Sequence, residues 1–206
     1  MAELQFTSAL HHRSDRYGAQ GLSIALKEID DRGMVDLRGL ASDDRFTAAV
    51  KEVLGLELPL APRTSAKQGD VSVLWLSIDQ WLITMARAEA SSLHLRLSNA
   101  LAGVHSLVVD MSDARTILRL EGDNVREVLN KATSVDFTGS DMVQGAVRRL
   151  RYAEIAAMVH VISTDPDVVD LYVFRSYADY AWNYLLATAK EAARIKLFGK
   201  QDLDRL

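Results

Sequence analysis

The amino-acid sequence predicts an α+β fold of two tightly packed ferredoxin-like lobes, with antiparallel sheets covered by helices. Apolar residues recur with a period of two in several short runs, which is typical of half-buried strands. Turn signals and amphipathic helical stretches separate these runs, without a regular alternation of one strand and one helix. The order strand, helix, strand, strand occurs twice. We therefore expect one lobe over residues 1–105 and a second over residues 106–206, packed as one compact unit.

The first predicted element is a hairpin. Residues 22–29 alternate between apolar and polar side chains, which is the pattern of a half-buried strand. The residues on the apolar face are Leu22, Ile24 and Leu26. A turn over residues 30–33 leads into a second extended run over residues 34–37, so we expect these two strands to pair.

A helix is predicted next, with Ser42 as its N-cap and acidic residues in its first turn. Its apolar face comprises Phe46, Val50, Val53 and Leu54. Gly55 is expected to end it. Two prolines and several polar residues predict an irregular surface connector over residues 55–69. Strands are then expected at residues 71–76 and 81–85.

A second helix is predicted over residues 88–101, followed by an extended run over residues 105–110. The second lobe then repeats the pattern, with a strand at residues 116–120 and another helix. The inward residues of that helix are Val125, Val128, Leu129 and Ala132. A long extended stretch over residues 146–163 turns at Asp165-Pro166-Asp167 and returns as a hairpin over residues 168–174.

The composition excludes several classes of function. With 206 residues, 49% of them hydrophobic, the chain is long enough for a well-packed globule. A formal net charge of -4 gives no electrostatic basis for binding nucleic acid. The absence of cysteine excludes disulfides, thiolate catalysis and cysteine-ligated zinc. Neither a signal peptide nor a membrane span is predicted, so a soluble cytoplasmic protein with no membrane partner is expected.

No catalytic, cofactor-binding or metal site is predicted in this chain. None of the five histidines has the spacing and acidic partner of a helical metal site. There is no G-x-S-x-G elbow and no glycine-rich phosphate or dinucleotide motif. Arg148, Arg149 and Arg151 form a basic cluster within a predicted strand. We expect it to be solvated or to lie at a sheet edge, with a salt bridge to a partner protein as the alternative.

The turn at Ile78-Asp79-Gln80 is a candidate partner interface. Trp75 and Trp81 flank it on the two strands of the predicted hairpin. Tryptophan beside an exposed turn is a common interface anchor, although a place in the core or at a sheet edge is the expected alternative. An exposed apolar Ile78 between the two tryptophans would be an interface hot spot.

The last predicted helix is a second candidate interface. It is expected to start at a capping-box-like pair, Ser176 and Asp179, and to extend to about Leu197. Its two apolar stripes comprise Ala181, Leu185, Thr188, Ala192 and Ile195, and Trp182, Leu186, Ala189, Ala193 and Leu197. Such a wide apolar arc indicates burial on two sides. Two explanations fit this arc. Either Trp182 and Leu186 contact a partner, or the helix is buried on both sides inside its own domain.

Four separated motifs resemble a sarcosine oxidase gamma subunit. They are LRG (residues 37–39), LGLELPLAP (residues 54–62), VSVLWLSIDQWLI (residues 71–83) and SDARTILRLEGDNVREVLNKATSVDF (residues 112–137). Their order is matched across about residues 22–198. The resemblance implies a relative of the folate-binding aminomethyltransferase fold without catalytic residues of its own.

The same resemblance implies partners and cofactors. The expected partners are the alpha, beta and delta subunits of a heterotetramer that oxidises sarcosine to glycine, with one-carbon transfer to tetrahydrofolate or release of formaldehyde, and formation of hydrogen peroxide. FAD, FMN, NAD and tetrahydrofolate are expected in those partner subunits and none in this chain. Two alternatives stay open: the gamma subunit of a related N-methylglutamate dehydrogenase, and a stand-alone folate-binding aminomethyltransferase-like protein.

Overall fold

The computed structural model describes residues 6–190, which form ten β-strands, four α-helices and two short 3-10 helices. The strands are β1 (Ala25–Ile29), β2 (Arg32–Gly39), β3 (Ser65–Gln68), β4 (Val71–Ser77), β5 (Gln80–Ala86), β6 (Ser106–Asp110), β7 (Arg115–Glu121), β8 (Val147–Tyr152), β9 (Ile155–Thr164) and β10 (Asp167–Phe174). The helices are α1 (Asp44–Leu54), α2 (Ala90–Ala100), α3 (Val125–Asn130) and α4 (Ala178–Thr188).

Sheet I contains five antiparallel strands in the order β3-β4-β5-β2-β6. Its chain order β2, α1, β4, β5, α2, β6 is that of a ferredoxin-like lobe, to which β3 adds a strand at one edge. The two long strands between the helices pair as the predicted hairpin, with Trp75 opposite Trp81. The predicted α+β lobe is therefore confirmed for this half of the molecule.

Sheet II has five antiparallel strands in the order β1-β7-β10-β9-β8. The elements β7, α3, β9, β10 and α4 repeat the ferredoxin-like order, and β8 is the added edge strand. The place beside β7 that a strand after α4 would fill is taken by β1. Strands β1 and β6 thus each lie across the expected boundary at residues 105 and 106, and the division into two lobes at that point stays a prediction.

The molecule has four layers, because each sheet is covered by helices on one face and faces the other sheet with its second face. Helices α1 and α2 cover sheet I over a core that includes Phe46 and Trp81. Helices α3 and α4 cover sheet II over the largest core, which includes Trp182. A third core lies between the sheets, and its members are Met34, Leu74, Leu76, Leu82, Ile117, Val147, Met158 and Tyr172.

Gly39, in the LRG motif, has a packing role. A Cβ atom at this position would collide with the ring of Phe46, which lies directly over it. Phe46 is fully buried and is the first apolar residue of α1. A glycine at the end of β2 therefore lets α1 approach sheet I closely.

The predicted hairpin of residues 22–37 is wrong. Strand β1 pairs with β7 in sheet II, whereas β2 pairs with β5 and β6 in sheet I. The chain passes from one sheet to the other between them, so Leu26 packs in the core of sheet II and Val35 in that of sheet I. The period-two alternation thus correctly predicts a strand, but that strand pairs with β7 and not with β2.

Two helix starts also differ from expectation. Asp43, not Ser42, is the N-cap of α1, and its carboxylate accepts a hydrogen bond from the Arg45 N–H at 3.0 Å. Helix α4 follows a 3-10 turn and has no side-chain cap, so the capping box of Ser176 and Asp179 is wrong. The expected end of α1 is confirmed, because Gly55 adopts a left-handed conformation with φ of 72°.

Two stretches expected to be uniform are divided. The connector of residues 55–69 contains strand β3. The long extended stretch of residues 146–163 is two strands, β8 and β9, joined by a turn in which Ala153 has a φ of 46°. The expected turn at Asp165 and Pro166 joins β9 to β10. The expected helical residues Ala192, Ala193, Ile195 and Leu197 lie outside the described part of the chain.

Candidate functional site

The turn between β4 and β5 presents an apolar side chain to solvent. Ile78 at its tip is 83% exposed, as the sequence predicts. Beside it, the Ser77 hydroxyl donates to the Asp79 carboxylate at 2.5 Å, and the Gly39 N–H donates to the Asp79 carbonyl at 3.1 Å. These bonds fix the turn, so Ile78 is held on a rigid support.

The two tryptophans that flank the turn have different surroundings. Trp81 lies on the central strand β5 and is fully buried, with its indole N–H donating to the Pro59 carbonyl at 2.9 Å and its ring 5.9 Å from that of Phe46. Trp75 lies on β4, nearer the edge of the sheet, and is half-buried. The expectation that Trp81 is a surface anchor is wrong, because α1 covers it; for Trp75 and Ile78 it stays a prediction.

A groove of about 380 Å³ runs beside Trp75, between β4 and β8. Two exposed arginines, Arg63 and Arg149, line it, and neither has an ion-pair partner within residues 6–190. Arg63 has a φ of 67°, and its carbonyl accepts the Val147 N–H at 2.8 Å, which joins the connector to sheet II. We call Trp75, Ile78, Arg63 and Arg149 the hairpin surface.

The basic cluster in β8 is divided. Strand β8 is an edge strand, as expected, and Arg149 and Arg151 are exposed. Arg148 is buried, contrary to the expectation of a solvated cluster. Its guanidinium donates to the Asp141 carboxylate at 2.6 Å and to the Val147 carbonyl at 2.8 Å. Arg148 therefore has a structural partner within its own chain.

Helix α4 is buried on two sides by its own chain. Its buried residues, Ala178, Ala181, Trp182 and Leu185, pack on sheet II. On its other side lie residues 8–16, here called the N-terminal cover. The indole N–H of Trp182 donates to the Asp15 carboxylate at 3.2 Å, and Arg13 donates to the Asn183 side chain at 3.0 Å. The Asp179 carboxylate, expected as a cap, instead contacts His12 and Arg13.

For Trp182, this arrangement decides between the two explanations of the wide apolar arc. Trp182 has no exposed surface, so the expectation that it offers area to a partner is wrong. Its second side is covered by residues that precede it by more than 160 positions. Leu186 is half-buried against the core of sheet II, and its contact with a partner stays a prediction.

A buried carboxylate that sequence analysis missed holds the N-terminal cover. Glu28 in β1 is 2% exposed. Its carboxylate accepts hydrogen bonds from the Ser8 hydroxyl at 2.9 Å, the Leu10 N–H at 3.1 Å and the Thr116 hydroxyl at 3.2 Å, and Arg16 lies 3.7 Å away. The signal was present, because Glu28 continues the apolar positions 22, 24 and 26 of a period-two pattern. An acid on a buried face indicates a partner within the structure.

A serine and a histidine are also in contact between the sheets. Ser65 Oγ lies 3.0 Å from His160 Nε2 and 2.8 Å from the Gly145 carbonyl, to which its hydroxyl can donate. The tautomer of His160 sets whether Nε2 donates to this hydroxyl or accepts from it, and either arrangement ties β3 to β9. Burial lowers the pKa of His160 from 6.5 to about 4, which keeps the ring neutral at pH 7.

Neither metal-site geometry nor a membrane-spanning helix is found in the part of the chain that the structure describes. Within residues 6–190, no three His, Cys, Asp or Glu side chains come together as a metal site. No helix among these residues is both long enough and apolar enough to cross a bilayer.

The comparisons with known proteins identify the family. A model of the sarcosine oxidase gamma subunit family matches residues 38–191, about three quarters of the chain. The chain belongs to the sarcosine oxidase gamma subunit family. The resemblance of the four sequence motifs is therefore confirmed, and the chain is a subunit of an oxidoreductase. A comparison with curated proteins gave no match.

Two solved structures share the fold. A chain of the heterotetrameric sarcosine oxidase from Corynebacterium sp. U-96, in complex with pyrrole 2-carboxylate, is 21% identical, with a TM-score of 0.80 over 93% of this chain and 98% of that one. The glycine cleavage system aminomethyltransferase T from Bartonella henselae is 15% identical, with a TM-score of 0.58 over 84% of this chain. This gamma-family chain spans only 51% of that aminomethyltransferase.

Proposed function

We propose that this chain is the non-catalytic gamma subunit of a heterotetrameric sarcosine oxidase, in which it supports oxidative demethylation of sarcosine to glycine. The family match over residues 38–191 is the observation that carries the proposal. The expected partners are the alpha, beta and delta subunits. FAD, FMN, NAD and tetrahydrofolate belong in those partners, and the cytoplasm is the expected compartment.

The polar groups inside this chain support a structural role for it. Glu28 has four partners, all from its own chain. The Ser65 hydroxyl donates to a backbone carbonyl, and His160 is neutral and buried. These three groups, Glu28, Ser65 and His160, thus hold one segment of the chain against another.

The hairpin surface is the part of the chain proposed to contact a larger subunit. It combines an exposed Ile78 on a rigid turn, a half-buried Trp75 and two arginines without ion-pair partners in the described chain. Tryptophan and arginine are the residues that most often dominate binding energy at protein interfaces. A carboxylate-bearing segment of the larger subunit would complement the two guanidinium groups.

The test is affinity purification of the tagged native chain, followed by a flavin spectrum and an oxidase assay of what is recovered with it. We expect flavin-containing partners and oxidation of sarcosine, whereas the isolated chain is colourless and inactive. Preference of the recovered complex for N-methylglutamate would favour the related dehydrogenase. Flavin, sarcosine oxidation or micromolar tetrahydrofolate binding by the isolated chain would contradict the non-catalytic role.

A further inference from the structure

A polar cleft of about 400 Å³ opens between the inner faces of the two sheets. One row of residues from each sheet lines it. In sheet II the row consists of Lys27, Arg119, Asp170 and His160, which are paired across four neighbouring strands. In sheet I it consists of Lys67, Ser72 and Thr84. Two polar rows thus face each other inside a sheet sandwich.

The adjacent rows have the opposite character. The next row of sheet II contains Ile29, Ile117, Tyr172 and Met158, and the next row of sheet I contains Leu74 and Leu82. The inner faces of packed sheets ordinarily form a continuous apolar core. Burial of the polar groups of Thr84, His160 and Asp170 costs free energy, and such a local departure from the pattern is typical of a functional site.

The charges of the cleft leave cationic groups in excess. Asp170 accepts two hydrogen bonds from Arg119, at 2.6 and 2.8 Å, and Asp70 pairs with Arg32 at 2.5 Å. Lys27 and Lys67 line the cleft, and neither ammonium group has an ion-pair or hydrogen-bond partner within residues 6–190. The one further carboxylate of the wall is Asp31. The wall thus holds four cationic groups and three carboxylates, a net charge of +1, and an anion would find the ammonium groups of the two lysines uncommitted.

The two lysines lie on opposite sides of the cleft. Lys27 is on β1, whereas Lys67 lies near His160 of β9, three strands away in sheet II. Three strand spacings amount to about 14 Å, a distance that two lysine side chains shorten by reaching inward. His160 is neutral and does not add charge, and Ser72 and Thr84 line the cleft with hydroxyl groups.

We propose that this cleft binds a small organic dicarboxylate, with one carboxylate on Lys27 and the other on Lys67. The volume lies within the range of ligand pockets, about 300 to 1,000 Å³. Two separated cations match two separated carboxylates better than a single compact anion. Ile29 and Ile117 border the polar rows and provide contact for a short methylene chain. The cleft lies within this chain, so binding does not depend on partner subunits.

The test is calorimetry on the full chain at low ionic strength, with succinate, glutarate and adipate compared with acetate and inorganic phosphate. We expect saturable binding of at least one dicarboxylate and much weaker binding of acetate and phosphate. Lys27→Gln and Lys67→Gln should each weaken binding by about tenfold, because each removes a charged hydrogen bond. Lys51→Gln is the matched control, since Lys51 is also exposed and pairs with Glu57 on the surface.

Several outcomes would overturn the proposal. They are no saturable dicarboxylate binding up to about 10 mM, equal loss of binding in the Lys51 control, and binding unchanged in the double Lys27 and Lys67 variant. Phosphate binding as tightly as any dicarboxylate would mean a site for a single anion. Circular dichroism melts of every variant accompany the titrations, and both lysines are exposed, so the folds should be retained.

Discussion

Helix α4 contains a tryptophan, and tryptophans flank the turn between β4 and β5. The rest of the chain buries the apolar surface of α4, whereas the turn stays exposed to solvent. Trp182 of α4 is fully buried because the N-terminal cover bonds to its indole and to the polar face of the helix. Ile78 at the turn is 83% exposed, and the half-buried Trp75 lies beside it. A helix with an apolar arc too wide for a single core is therefore expected to be buried on a second side as well. A distant segment of the same chain can bury that second side.

The largest expected effect is on stability, at the buried tryptophan of α4. Trp182→Ala should lower the free energy of unfolding by about 3 to 5 kcal/mol, because it leaves a large cavity and removes the bond to Asp15. Trp75→Ala is the matched control and should cost much less, since Trp75 is only half-buried. Urea denaturation of both variants measures the difference. Equal destabilisation would mean that the turn is also part of a core.

The pH dependence of stability tests the region between the sheets, which is buried but polar. The folded-state pKa of His160 is lowered by burial to about 4, so the unfolded chain binds this proton more readily as pH falls below about 6.5. Stability should decline between pH 6.5 and 4, by up to about 3 kcal/mol from this group. The neighbouring charges are Asp170, Lys67 and Arg119.

His160→Gln should flatten that decline, and His105→Gln, at an exposed position, should leave it unchanged. Denaturant midpoints measured at several pH values between 4 and 7 give the comparison. If the decline has the same slope in the His160 variant, the proton uptake belongs to other groups.

At the exposed turn between β4 and β5, Ile78→Asp should weaken assembly with the larger subunits by at least about 2 kcal/mol, because a charge would be buried unpaired in an apolar contact. The free energy of unfolding of the free chain should change by less than about 0.5 kcal/mol, since the Ile78 side chain is exposed. Co-expression yield of the complex and the melt of the free chain are the two measurements. Normal assembly would place the turn in solvent.

The smallest effect on stability is expected at Tyr152, whose hydroxyl group is buried without a hydrogen-bond partner in the described residues. Its buried hydroxyl has no hydrogen bond of good geometry within the described residues, although the Thr188 hydroxyl, which bonds to the Tyr184 carbonyl, lies nearby. Tyr152→Phe should therefore be neutral or stabilising by up to about 1 kcal/mol. Thermal melts can detect this, with exposed Tyr177→Phe as control. A clear loss of stability would reveal a partner for the hydroxyl.

The features that sequence analysis predicted are those decided by neighbouring residues. Gly55 ends α1 because only local backbone conformation is involved, and the period-two alternation around Leu26 places that residue in a core. The exposure of Ile78 follows from a two-residue turn between strands.

The failures arise where a partner lies far away in the chain. Strand β1 pairs with residues about 90 positions later, and nothing in its own sequence specifies that choice over β2. Trp75 and Trp81 face each other in register, yet which of them α1 covers depends on strand order in the sheet. The polar cleft combines residues from eight strands, so no local motif could reveal it.

The crossing of β1 into sheet II has a consequence for synthesis. Residues 25–29 leave the ribosome about 90 residues before β7, which lies at residues 115–121. At about 5 to 20 residues per second, β1 waits about 5 to 18 seconds for its partner. During that interval all five strands of sheet I leave the ribosome, because β6 also precedes β7, while β1 stays unpaired. A nascent chain of this protein therefore has a defined window in which a chaperone, or a second copy on the same polysome, can reach that strand first.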